Sequence, residues 1–152
     1  MLPMRIVLYS AIIISLVLTT SSPAEADGYC FNEAGRYYGI SPKLLWAISR
    51  VESNHKPQAM NINKNGSIDY CHMQINTFWR ETLGDRWDYL SNPCYCTFVG
   101  AWVLKQCMVR YGYTWDAVAC YNSGKALHEL SGERRNLVKR HVSKVIKAVY
   151  GE

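Results

Sequence analysis

The stretch Ser41-Pro42-Lys43-Leu44-Leu45-Trp46-Ala47-Ile48-Ser49-Arg50-Val51-Glu52-Ser53-Asn54 decides how the rest of the chain is read. Ser41-Pro42 is a helix start, with the serine hydroxyl available as N-cap and the fixed φ of proline suited to the first helical position. Leu44, Leu45, Ile48 and Val51 recur at helical spacing, so one stripe of this helix faces a core. Glu52 follows Ile48 by one helical repeat and falls on or beside that stripe. It also lies close to the helix end, because Ser53-Asn54 follow and Pro57 cannot continue the helix. Desolvation and the negative helix terminus both disfavour an ionised carboxylate, so both predict a raised pKa and a carboxyl able to donate a proton near neutrality. The plainer alternative is a glutamate on the polar edge of an amphipathic helix.

Downstream, Asn61-Ile62-Asn63-Lys64-Asn65-Gly66-Ser67-Ile68-Asp69-Tyr70 contains Asn65-Gly66, a strong signal for a tight hairpin turn. Asp69 then sits on the returning strand of a small, wet hairpin. A helix ending in one acid, followed by a hairpin carrying another, can place two carboxylates across a glycosidic bond. An Asp satisfied by turn amides is the structural alternative. Met73-Gln74-Ile75-Asn76 alternates apolar residues with side-chain amides, groups that suit the N-acetyl and hydroxyl groups of amino sugars.

Glu52-Ser53, the Asn-Gly hairpin, Met73-Gln74-Ile75-Asn76 and Ala119-Cys120-Tyr121-Asn122-Ser123-Gly124 together resemble the lytic transglycosylase family. The resemblance is closest to its small lysozyme-like members associated with type III secretion, type IV pili and conjugation, and spans roughly residues 30–149. It implies cleavage of the MurNAc–GlcNAc bond of peptidoglycan, with Glu52 as acid and then base and Asp69 as an electrostatic stabiliser. It also implies that Gln74, Asn76, Tyr121 and Asn122 line the substrate cleft and that Ser53 steadies the loop after Glu52. No cofactor is implied. Asn76 acting only as a helix cap, and Tyr121 only as packing, are the plainer readings. Two positions depart from the family pattern. Cys71 stands where the family usually has glycine, and His141 where it has a tyrosine reaching toward the glutamate. A histidine there can hydrogen-bond Glu52 or, if charged, lower its pKa.

The first residues read as an export signal: Arg5, an apolar run from Ile6 to Leu18, and Ala24-Glu25-Ala26 as a cleavage site. The run is shorter than the roughly 20 residues of a membrane span. Cleavage after Ala26 leaves residues 27–152 as one domain and implies a periplasmic location. The leader holds one base and one acid, so the formal charge stays at +5. That balance fits an anionic partner or a merely solvated surface; export makes nucleic acid the least fitting partner. Glycan strands, and a secretion or pilus machine, are the partners the resemblance implies. No later run is apolar and long enough to span a bilayer.

Further along, residues 27–38 read as a short helix closed by Gly39, and residues 77–83 as a helix capped by Asn76. Residues 93–111 form a long helix apolar around most of its circumference, hence central, with Gly100-Ala101 permitting a close helix approach. Thr114 caps a segment ending at Tyr121-Asn122-Ser123-Gly124. The last helix, about 132–150, sets Leu137, Val138, Val142, Val145, Ile146 and Val149 against a basic face of Arg134, Arg135, Lys139, Arg140, Lys144 and Lys147. The expected fold is mainly α, lysozyme-like, with one small β-hairpin beside the catalytic helix.

All six cysteines follow the leader, as in an exported, disulfide-stapled domain. Their spacing does not match the usual zinc pairs, so no metal is expected. The resemblance implies a Cys30–Cys94 bridge. In the resembled fold the motifs beside Cys71 and Cys120 line one cleft, which implies a second bridge, Cys71–Cys120. Cys96 and Cys107 lie on one predicted helix, about 16 Å apart by helical rise, too far for a bond. They are expected as free thiols. A peptidoglycan-binding scaffold without turnover, or a cationic membrane-active protein, are the non-enzymatic alternatives.

Overall fold

The computed structural model describes residues 28–151; the export signal expected at residues 1–26 lies outside them. Six α-helices pack around a three-stranded antiparallel sheet: α1 (Phe31–Tyr38), α2 (Pro42–Ser53), β1 (Met60–Ile62), β2 (Ile68–Tyr70), β3 (Ile75–Asn76), α3 (Arg80–Leu83), α4 (Pro93–Tyr111), α5 (Trp115–Ser123) and α6 (Gly132–Tyr150). The expected mainly α architecture is present. The sheet is larger than the single hairpin expected, because Ile75 and Asn76 add a third strand to β2, with Asp69 opposite Asn76 and Tyr70 opposite Ile75. Two residues are too few to show a strand period in sequence.

α4 is central, packing against α1, α2, α5 and β3. Pro93 occupies its first turn and the Asn92 side chain accepts from the Tyr95 amide, the expected chemistry of a capped, proline-led start. Cys96, Thr97, Val99, Gly100, Ala101, Val103, Leu104, Cys107 and Met108 are buried along it. Gly100 accommodates the side chain of Met73 rather than a neighbouring helix: a Cβ there would lie 2.6 Å from Met73 Cε and 2.9 Å from Met73 Cβ. The close approach written in the sequence therefore seats the Met73-Gln74 segment on the central helix.

α2 begins as its sequence requires, with Pro42 in the first turn, although the Ser41 hydroxyl makes no capping bond. Leu45, Ala47, Ile48 and Ser49 are buried, and α2 packs on α1 and α6. Asn54 ends it in the left-handed region at φ 55, its amide reaching the Arg50 carbonyl. Among the described residues no helix is long and apolar enough to cross a membrane.

Three disulfides close the domain. Cys30 and Cys94 are bonded, tying the start of α1 to the start of α4. Cys71 is bonded to Cys96, not to Cys120, and Cys107 is bonded to Cys120, so the expected Cys71–Cys120 bridge and the expected free thiols are both replaced. The reason is position along the helix, since eleven residues are close to three full turns and the two cysteines share nearly the same side of α4. Cys96 in the first turn of α4 meets the loop after β2, whereas Cys107, three turns later, meets α5 packed alongside. Both motif-flanking cysteines are bridged to the central helix instead of to each other.

Candidate active-site cleft

Glu52 occupies the last turn of α2, and its side chain is only 13% exposed. Burial first, and the charge of Asp69 second, push its carboxyl up to about 8, so near neutrality it holds its proton. Ser53, the next residue, accepts from the Lys56 amide at 3.1 Å and donates to the His72 carbonyl at 2.9 Å. The loop that follows Glu52 is thereby fixed to the segment that carries Met73 and Gln74. Beneath it, the buried Ser49 hydroxyl lies 2.8 Å from Nδ1 of both His55 and His72. Burial foremost lowers His72 to about 4, so the His72 imidazole is neutral at ordinary pH.

His141 reaches Glu52 from α6: Nε2 and Oε1 are 3.3 Å apart, without the alignment of a hydrogen bond. Burial, then the nearby Lys144 charge, lower His141 to about 4. Between about 4 and 8 the imidazole is therefore neutral while Glu52 is protonated, and it carries no charge that would draw the Glu52 pKa down.

The hairpin does not make a two-residue turn. The Gly66 amide bonds to the Asn63 carbonyl and the Asn63 amide to the Ser67 carbonyl, and only Gly66 has positive φ, at 81. This is a three-residue loop with glycine in the left-handed position. Three asparagine amides reach Asp69: Asn76 from β3 donates at 2.6 Å, Asn63 from the start of the loop at 2.9 Å and Asn61 from β1 at 3.3 Å. Asn76 also accepts from the Phe78 amide at 2.9 Å, so it caps the following turn and holds Asp69 at once. Asn61 faces Asp69 across the β1–β2 ladder, and Asn63 lies two residues on, on the same face.

Gln74 has φ 52, and its side chain donates to the Cys71 carbonyl at 2.9 Å. Cys71 itself has φ 61, the conformation for which glycine is the default, in keeping with the glycine of the resembled family at this position. From α5, the Tyr121 hydroxyl donates to the Met73 carbonyl at 2.7 Å. Burial, then Glu52 and Asp69, push that hydroxyl well above the usual tyrosine range, so it remains a proton donor.

Glu52, Asp69, Gln74, Asn76, Tyr121 and Asn122 all line one cleft of about 660 Å³, while Ser53 and His141 stand outside its lining, against Glu52 and the loop. The cleft also holds residues that sequence reasoning did not single out. Phe78 is 76% exposed at its wall, and Gln106 and Arg110 enter it from α4. Asn61 and Asn63 were legible as a period of two on one strand face, but only pairing with β2 shows what that face holds. No such signal existed for Phe78.

A mostly helical domain with a small sheet and a buried acid at the edge of a polar cleft defines a lysozyme-like class of protein. Within that class the chain belongs to the Transglycosylase SLT domain family, which matches residues 29–141. It is 36% identical over 137 residues to invasion protein IagB of Salmonella typhimurium, covering 88% of this chain and 81% of that protein. It is 40% identical over 100 residues to protein IpgF of Shigella flexneri, covering 62% and 65%. It is 35% identical over 126 residues to a peptidoglycan-binding-like protein of Escherichia coli O157:H7, covering 76% and 75%. Membership of this family supports a peptidoglycan-cleaving role of the lytic transglycosylase type.

Proposed function

We propose that this protein cleaves the MurNAc–GlcNAc bond of peptidoglycan, with Glu52 as general acid and then general base. The observation that carries this reading is the buried Glu52 carboxyl, held up to about 8 in the same cleft as Asp69. Glu52 gives its proton to the glycosidic oxygen as the C1–O bond breaks, and positive charge develops on the muramyl ring. Asp69, fixed by its three asparagines, stabilises that charge. The Glu52 carboxylate then takes the proton of the muramyl C6 hydroxyl as O6 bonds to C1. The acid is regenerated, no water is consumed, and the product ends in a 1,6-anhydro sugar. Gln74, Asn76, Tyr121 and Asn122 orient the strand.

In this reading the protein is exported by the leader expected at residues 1–26, its three disulfides suit the periplasm, and there it opens the wall locally for a secretion or pilus machine. Residues 27–152 form the one catalytic domain in this reading. The name of one relative, peptidoglycan-binding-like protein, favours a second reading, a scaffold of the same machine that binds strands with little turnover. Turbidity of purified peptidoglycan separates the two. The enzyme clears the suspension, whereas a scaffold sediments with it and leaves it turbid.

A further inference from the structure

Val103, Gln106, Cys107 and Arg110 recur on α4 at intervals of three and four, and all four line the cleft. This face is a wall of the site that none of the four sequence motifs contains. Gln106 and Arg110 are its exposed members. Arg110 and Lys64 are the cationic residues among those lining the cleft, and neither pairs with a carboxylate of the described residues. The Arg110 guanidinium carbon lies 5.8 Å from the Tyr111 ring centroid, which leaves its donors available to a ligand. Position is also fixed: the Cys107–Cys120 bridge bonds this wall to α5 one residue before Tyr121.

The sugar rings of a glycan strand are uncharged. A cation in a glycan cleft finds an anion only on the branch that muramyl residues carry, either the lactyl carboxylate or the carboxylates of a peptide attached to it. We infer that Gln106 and Arg110 form a subsite for a carboxylate of the muramyl branch, selecting acid-bearing strands over neutral amino-sugar polymers. The planar guanidinium fork matches a carboxylate, and the Gln106 amide one helical turn earlier adds a further donor. Lys64, at the tip of the hairpin, contributes charge without fixed geometry.

The inference rests on the peptidoglycan reading above, and binding separates it from turnover. In the Glu52→Gln protein, affinity is measured for three soluble ligands: peptide-bearing strands, amidase-stripped strands that keep the lactyl carboxylate, and a GlcNAc oligomer with neither acid. Adding Arg110→Gln is expected to weaken binding of an acid-bearing strand about tenfold, the scale of one charge-assisted hydrogen-bond pair, and to leave the GlcNAc oligomer unchanged. Loss confined to peptide-bearing strands assigns the peptide carboxylates; loss confined to stripped strands assigns the lactyl carboxylate, which the peptide-bearing strand holds as an amide; loss on both shows that the subsite takes either acid. Lys139→Gln, on α6 outside the cleft, removes the same charge and is expected to change none of the three. Affinity of the Arg110→Gln protein for both acid-bearing strands unchanged from its parent, or equal weakening by Lys139→Gln, overturns the subsite. Absence of cleavage by the wild-type chain on the same strands overturns the enzymatic reading and leaves the binding result standing.

Discussion

Nε2 of His141 stands 3.3 Å from Oε1 of Glu52, and the imidazole is neutral where the carboxyl is protonated. Two buried titratable groups in contact thus have pKa values pushed apart, to about 4 and about 8, and the proton between them belongs to the carboxyl. Cleavage that needs protonated Glu52 should persist below about pH 8 and fall tenfold per unit above it. His141→Gln should leave this alkaline limb in place, because a neutral imidazole contributes no charge to it. A limb displaced by about one unit in a pH–rate profile would show that His141, not burial, sets the acid.

The same shift makes a prediction about stability. The Glu52 pKa rises from an ordinary 4.5 to about 8 on folding, so the folded state holds a proton that the unfolded chain releases between those values. Stability from this group is therefore full below about 4.5 and is lost as pH rises to about 8. Glu52→Gln cannot ionise and escapes the loss. Its Tm should exceed that of the wild type, by a margin that widens between pH 5 and 8, as thermal denaturation at several pH values would show. A margin that narrowed with pH would contradict the raised pKa.

Asp69→Asn should slow cleavage by on the order of 10–1,000-fold, the scale of one electrostatic stabiliser, and by less than Glu52→Gln, since the acid remains. It also faces the amides of Asn61, Asn63 and Asn76 with an amide instead of an acceptor-only carboxylate. Initial rates of strand cleavage check this. An unchanged rate would return Asp69 to a turn-stabilising role.

Much of this arrangement was legible in the chain. The stripe of α2, the long helix over residues 93–111 and its apolar circumference are local patterns that the fold keeps. The clustering of Glu52, Asp69, Gln74 and Tyr121 came from ordered motifs, whose separations no periodicity could have joined. What escaped depended on which elements the fold packs side by side. Cys96 and Cys107 were rightly too far apart to bond, yet each had a partner on a neighbouring element. Asn61, Asn63 and Arg110 are polar surface residues until the sheet register sets the two asparagines on Asp69 and the α4 face sets Arg110 in the cleft.

Non-reducing peptide mapping should recover Cys71 with Cys96 and Cys107 with Cys120. Replacing either pair by serine should cost about 3 kcal/mol of stability in denaturant unfolding, as expected for loops of these lengths. A Cys71–Cys120 peptide would contradict the pairing.

The most direct test of the account is mass spectrometry of the fragments released from purified peptidoglycan by residues 27–152 and by their Glu52→Gln variant. The account predicts muramyl ends one water lighter than reducing ends from the wild type, and no fragments from the folded variant. Fragments released by Glu52→Gln at the wild-type rate would contradict it.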